Sequence, residues 1–539
     1  MAGYRTSGFV AAFCVLVATA VFLLAAGTVC LPLAGMLCAQ ERDGMFWGER
    51  GGSLSGSLHG ETRLRFVKQS AFQLDETGEE STVEVYLSHR LRLGPELGFG
   101  RRVRLVSQVD LFDGHLLGDT SPDGRTLLLE PQDENHGLDS LLLRRLHLQW
   151  ESPIGLLQVG QDASQWGLGL LANAGEEDGP FSDSRGGDLV ERVLFATAPA
   201  AWFSDSPLAR RFILALAADA VFRDDNADWM EGDRAYQAVA AAYYRDDDLF
   251  AGIYGAWRTQ KDRRLWVESW EEHVPPLSIE VPGDELDVFA ADLFLRYRLG
   301  FDEGAIELAA EGALVFGTTS RGRNENSPKQ LDVLQGGAAA LLRFELDAVG
   351  IAADLRGGYA SGDRNSADGR ATGFRFDPGY RVGMILFDDV LSSLSAHSAQ
   401  RLLDDRAVPP SGARSLVTNG AVTHALFVAP EVEYRPWRPL VLAVGFVWAM
   451  MPAGLADPYN TNAANGGYPL NPYGVDTGSD QLGYEVDGGL WVIPVDTEAV
   501  ELSFAAQGGM FVPGQALARE GGIDLSPVLK ARFLLDLRW

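Results

Sequence analysis

The feature that most limits what this chain can fold into is a two-residue alternation of apolar and polar side chains, sustained over long runs. In "SLSGSLHGETRLRF" (53–66) one parity holds Ser53, Ser55, Ser57, His59, Glu61, Arg63 and Arg65, and the other holds Leu54, Gly56, Leu58, Gly60, Thr62, Leu64 and Phe66. Successive side chains of a strand point to opposite faces, so the pattern predicts a strand with one oily and one watery side. Strands of globular proteins run about five or six residues, whereas crossing a bilayer at about 45° takes roughly 9 to 11. "TVEVYLSHRLRL" (82–93) repeats the pattern, broken once by His89 on the oily parity. "RVRLVSQVDLF", "LRRLHLQW", "DLFLRYRL", "IELAAEGALVF", "LRFEL" and the terminal "ARFLLDLRW" continue it, while "FILALAADAVF" and "YQAVAAAYY" are apolar or small on both faces and leave the phase open.

The connections alternate as well. Short ones, "GPELGFG", "SPIG", "DDD", "GFDEG" and "RPWRP", carry turn residues; long ones fall between them at 68–81, 113–139, 162–188, 261–285, 318–334, 362–420 and 452–481. Tight turns at one rim and long loops at the other are the outer-membrane arrangement. The predicted fold is all-β: a transmembrane antiparallel β-barrel of about 18 strands (16 to 18), with short periplasmic turns and long extracellular loops. In lipid an open sheet edge would leave backbone groups without partners, so the first strand is expected to pair with the last.

Residues 1–39 contain a single charge, Arg5, with an almost wholly apolar stretch at 9–31, and they read as a secretory signal peptide cut after Ala39. An uncleaved anchor is the alternative, since the stretch is long enough to span. A short periplasmic segment, 40–52, would follow, and the barrel would occupy 53–539. All three cysteines, Cys14, Cys30 and Cys38, lie in the leader, which leaves the mature chain without thiols or disulfides. The net charge of -29 argues against nucleic-acid binding. Arginine outnumbers lysine 41 to 4.

The chain ends on Phe533, Leu535, Leu537 and Trp539 at alternate positions, which resembles the signal by which bacterial outer-membrane barrels are taken up by the barrel-assembly machinery. "GLLQVGQDASQWGLGLL" (155–171), "GYASGDRN" (358–365), "LGYEVD" (482–487) and "FVPGQAL" (511–517) are similar, in order along the chain, to elements of the alginate-export and related porin-type barrel family. Gln161 stands where that family commonly has arginine. The resemblance implies an 18-stranded channel in the bacterial outer membrane, among lipid and lipopolysaccharide, that passes a small hydrophilic solute or saccharide. The family's alginate exporter lines its lumen with arginines. Here the inward parity of the last strand and the first three carries Arg532, Arg538, Arg63, Arg65, Arg90, Arg92, Arg102 and Arg104. These form either an anion-permeable stripe or a set of ion pairs with Glu61, Glu84, Asp110 and Asp536. Glu307, Glu311, Asp292 and Asp354 fall on inward parities too and would favour cations.

The long segment 362–420 contains helical spacing of Ile385, Val390, Leu391, Leu394 and Leu402, so it is expected to form a small helix that either narrows the mouth or caps it. The Gly-rich loop 162–188, with Trp166 and Phe181, is a second inward-folding candidate. Against an enzyme, the eight histidines sit in no nucleophile or metal motif, and "DDNADWMEGD" lacks the calcium-loop spacing. No cofactor and no metal are expected. The competing function is a plugged structural or adhesin-type barrel whose surface loops do the work.

Overall fold

The computed structural model describes residues 45–47, 53–81, 85–118, 139–176, 179–183, 186–263, 265–269, 277–281, 283–322, 328–404, 413–522 and 525–539. The expected signal peptide, most of 40–52, Glu84, His136 and His273 lie outside the described residues.

Among the described residues eighteen strands close into a cylinder. They are β1 (Ser55–Gln69), β2 (Val85–Phe99), β3 (Val103–Gly118), β4 (Asp139–Ser152), β5 (Gly155–Ala163) and β6 (Leu189–Thr197). Next come β7 (Phe212–Arg223), β8 (Arg234–Arg245), β9 (Leu249–Lys261), β10 (Glu285–Phe301), β11 (Gly304–Thr319) and β12 (Leu331–Leu346). The last six are β13 (Ile351–Ala360), β14 (Leu426–Trp437), β15 (Leu440–Met450), β16 (Gln481–Asp496), β17 (Glu501–Pro513) and β18 (Val528–Arg538). Each pairs antiparallel with its chain neighbours, and β1 closes on β18 from Glu61 opposite Arg538 to Gln69 opposite Lys530. The expected architecture and strand number are therefore observed.

Phase follows from exposure. Phe66, Leu293, Leu334, Val444, Phe504 and Phe533 are exposed on the outer face, while Arg63, Asp292, Glu311, Glu485 and Arg532 are buried on the inner one. In the two stretches with open phase, Leu214, Leu216 and Tyr236 are exposed on the outer face, and Asp219 and Ala235 are buried on the inner one. His89 does face outward, and its ring is satisfied locally: Nε2 lies 3.1 Å from Thr62 Oγ1, and Nδ1 lies 3.1 Å from the Phe112 carbonyl beside a bulge in β3.

Several boundaries differ from expectation. "GPELGFG" is not a turn: β2 runs through Pro95 to Phe99, and where proline has no N–H to offer, the Ser107 hydroxyl donates to the Pro95 carbonyl at 2.7 Å. The connection 198–211, at the end where the other turns are tight, carries two short 3-10 helices, Pro199–Trp202 and Pro207–Arg210. At the opposite end the loop between β9 and β10 contains an antiparallel hairpin, Leu265–Ser269 with Leu277–Val281. Among the described residues no helix is long and apolar enough to cross a membrane.

Candidate functional site

Two long loops turn back into the cylinder and define what remains of its bore. One, 164–188, joins β5 to β6; the other, 361–425, joins β13 to β14. Within the second, a π-helical turn, Leu386–Leu391, runs on into α1 (Ser392–Asp404). The expected helix thus exists, and Ile385, Val390, Leu391, Leu394 and Leu402 are all buried. The first four share one apolar cluster with Ala313, Ala339, Phe427, Ala443, Val447 and Phe511, which are inward residues of β11, β12, β14, β15 and β17. The π-turn packs against the inner wall, and α1 leads from it to the 70–81 and 452–481 loops at the long-loop rim.

Wall carboxylates hold both loops by their backbone N–H groups. Glu485 of β16 accepts from Met384, from Ile385 at 2.8 Å and from Leu386 at 2.7 Å. Glu311 of β11 accepts from Leu168 and from Leu170 at 3.2 Å, and neighbouring Asp292 accepts from Trp166 Nε1 at 2.8 Å. Lys530 of β18 completes the anchorage of 361–425, donating to the Met384 carbonyl at 3.0 Å and to Asp389 at 2.8 Å. Burial pushes the Asp389 carboxyl up to about 6, with Lys530 opposing the shift.

The arginines sit opposite. Arg63 is 2% exposed and forks onto Asp536 at 2.6 and 2.9 Å, with its other nitrogen 3.0 Å from Asp183 of the 164–188 loop. Arg65 reaches the same Asp183 at 2.8 Å, and Arg532 donates to Gln507 at 2.5 Å and to the Phe181 carbonyl at 3.0 Å. Burial alone would raise the Asp183 carboxyl, but Arg65, Arg63 and Arg532 outweigh it and hold it far below the usual carboxylate range. Arg90 pairs with Glu61 at 2.6 Å, and Arg92 forks onto Asp110 at 2.6 and 2.8 Å.

The expected basic wall therefore exists as a row of inward residues, but most of it is bound to partner carboxylates or to the loop. Arg104 and Arg538 stay open, at 55% and 44% side-chain exposure, near Glu151 and Glu501. Arg102 departs from the wall: it lies exposed in the turn before β3, where the strand has not yet begun. Glu307 lies 3.8 Å from Arg298, and Asp354 forks onto Arg343. Several buried residues were not singled out from the sequence, Glu485, Lys530 and Arg144 among them. Arg144 donates to the Ala174 and Gly186 carbonyls at 2.6 and 2.7 Å, because a bulge between β3 and β4 shifts the parity there.

Two cavities flank the constriction. The larger, about 440 Å³ on the long-loop side, is bordered by Asp225, Arg258, Arg321 and Arg375. Its cations are matched by acids: Arg258 to Asp224 at 2.5 Å, Arg321 to Asp262 at 2.7 Å, and Arg375 to Asp225 at 2.6 Å. The other, about 360 Å³ toward the tight turns, is lined by Glu96, Arg104, Arg145, His147, Gln149 and Asp162. The segment 163–171 runs from one to the other, with Ala163 at the lower and Leu171 at the upper. Most residues of the upper cavity come from loops, where period-two reading carries no information.

Among the described residues one set of metal-type donors converges: Asp75, Glu79 and His397. His397 Nε2 already lies 3.0 Å from Asp75, and the Arg401 guanidinium is 3.6 Å from the same carboxylate. That guanidinium supplies the positive charge a metal would bring, so the cluster works as an ionic clasp between α1 and the 70–84 loop.

No protein-family model matches this chain, and no curated protein does. Solved structures similar to it include OccAB1 of Acinetobacter baumannii, at TM-score 0.48 and 9% identity over 93% of this chain and 99% of that one. OccK9 (OpdG) of Pseudomonas aeruginosa is similar at TM-score 0.46 and 10% identity, over 89% and 98%. OccK2 (OpdF) of Pseudomonas aeruginosa, in complex with glucuronate, is similar at TM-score 0.43 and 9% identity, over 89% and 97%. At these scores and identities the likenesses assign the chain to no family, and they lend no support to the narrower alginate-export assignment.

Proposed function

We propose that this chain is a channel of the bacterial outer membrane that passes a small hydrophilic solute or saccharide, with a preference for anions. One observation carries the reading: a closed cylinder with an apolar outer belt holds two cavities, each bordered by charged side chains and separated by a loop that wall charges keep in place. Arg65, Arg104 and Arg145 remain partly open along the inner wall and supply the positive edge for a carboxylate or phosphate. Arg63, Arg90 and Arg532 serve the loop and the wall instead. Phe533, Leu535, Leu537 and Trp539 lie on or beside the closing strand, as an assembly-machinery signal requires, and residues 1–39 fit a cleaved export leader. Lipopolysaccharide would surround the long-loop rim. The short motifs shared with alginate exporters are compatible with a polyuronate cargo.

A second reading, a barrel shut by its own loops, is favoured by the apolar cluster that 361–425 forms inside the wall. Ion-selective conductance of the purified full chain in planar bilayers decides between them. The channel reading expects discrete conductance and an anion-to-cation permeability ratio above one. A ratio below one removes the anion preference, and absent conductance together with no swelling of sugar-loaded liposomes leaves the shut barrel.

A further inference from the structure

The two lumenal loops touch each other as well as the wall. Asp377 of the 361–425 loop and Asp188, at the end of the 164–188 loop, lie carboxyl to carboxyl in the contact between them. Backbone crosses the same seam: the Asp377 N–H donates to the Leu170 carbonyl at 2.9 Å. The packing is close, since a Cβ added at Gly379 would come within 2.5 Å of Asn173 Cγ. Each carboxyl takes one N–H from its own loop, Asp188 from Asn173 at 3.2 Å and Asp377 from Gly379 at 2.6 Å.

Ionised carboxylates are acceptors only, so two of them attract each other only with a proton between them. The groups facing this pair do not supply another bridge. Asp224 and Asp225 add negative charge; Arg258 is engaged by Asp224, Arg375 is engaged by Asp225, and Tyr254 faces Asp188 from β9. The same composition recurs where each loop meets the wall. Asp487 lies against Glu485, and Asp292 against Glu311; both Asp487 oxygens and Asp292 Oδ2 are buried with no donor reaching them.

We propose that the Asp188–Asp377 pair is a proton-operated clasp between the two constriction loops: holding a proton it keeps them together across the lumen, and ionised it lets them part and widens the passage. The inference rests on the channel reading for its effect on flux. Burial first, then the neighbouring carboxylates, raise Asp188 well above its ordinary value and push Asp377 up to about 7. Parted and solvated, Asp377 would release its proton near its ordinary 3.8, so the closed seam holds an extra proton between that pH and about 7. Closure therefore weakens as pH climbs through this window, by up to about tenfold per pH unit for the Asp377 proton, and weakens further above it as Asp188, itself raised well above its ordinary value, gives up the proton that remains between the two.

The test uses the full chain, with EDTA present so that no divalent ion bridges the acids. In planar bilayers, open-channel current is expected to rise from pH 4 upward and to go on rising above pH 7 until Asp188 too has lost its proton. Asp377→Asn supplies an amide donor that needs no proton, and it is expected to abolish the rise while leaving the protein folded; Asp188→Asn serves as the second variant. In parallel, hydrogen exchange in micelles follows the amide of Asp377, after correction for intrinsic rates. Protection falling over this window in the native chain and constant in the variants supports the clasp. Protection that is flat in the native chain, or that falls equally in both variants, overturns it whether or not current flows. If protection behaves as expected and no current is seen, the clasp stands and the channel reading fails.

Discussion

At the residue scale the inner wall is an exercise in charge satisfaction. Arg63 holds Asp536 and Asp183 together in a nearly solvent-free site, so Arg63→Ala takes the two-pronged partner from Asp536 and one of three guanidinium neighbours from Asp183. We expect a loss of about 3–5 kcal/mol, read as a lowered unfolding midpoint in detergent, because removing one member of a buried pair costs far more than the pair contributes. Arg63→Lys keeps the charge and loses the two-pronged fork, so it should fall between the two. Glu311→Leu removes the acceptor for Leu168 and Leu170 while leaving β11 intact, and it should raise current noise by freeing the constriction loop; quiet currents would show that the loop is held by other contacts. Which arginines point inward was legible where the strand parity is unbroken; Arg102, in a turn, and Arg144, at a bulge, escaped it. Their partners were legible only in part: Asp110 and Asp536 sit on neighbouring strands, but Asp183 comes from a loop. Glu61 was named among the candidate partners too, and it is Arg90 that holds it most closely.

At the element scale the decisive parts are the two loops that enter the lumen. Deleting 378–418, which removes the π-turn and α1, is expected to increase single-channel conductance, since residues 384–387, Val390, Leu391 and Leu394 pack against the inner wall. Unchanged conductance would place them off the path. The helix itself was readable from the spacing of Ile385, Val390, Leu391, Leu394 and Leu402; its direction, inward or outward, was not. A signal for that direction was nevertheless present. β15 carries Val441, Ala443, Val447 and Ala449 on its inner parity, and a strand that is apolar on both faces must be covered on both. Lipid covers one face, so protein must cover the other. The failure at "GPELGFG" has a different origin: turn-forming residues were taken at face value, and the strand runs on through Pro95, whose carbonyl accepts from the Ser107 hydroxyl.

At the scale of the whole molecule, closure and the outer belt set stability. Leu293 is near the middle of β10 and 61% exposed on the outer face, so Leu293→Arg should cost about 2–4 kcal/mol in bilayers, measured by equilibrium folding into vesicles. A change near zero would mean that this face is not in hydrocarbon. The closing seam is equally specific. Gly60 and Trp539 exchange two backbone hydrogen bonds of 2.9 Å, and a Cβ at Gly60 would come within 2.2 Å of the indole.

Length and period of alternation determined, without any tertiary information, that the chain forms a closed antiparallel barrel of about eighteen strands with its long loops at one rim. These are consequences of backbone geometry and of a solvent that tolerates no open edge, and both act on local pattern. Tertiary structure alone decided how the lumen is used: that Glu485 and Glu311 receive loop amides, that Asp183 ties Arg63 and Arg65 to the constriction loop, and that Asp188 meets Asp377. Those contacts join residues far apart in the chain, through loops whose path is set by which buried charges they can satisfy, and no periodicity records that.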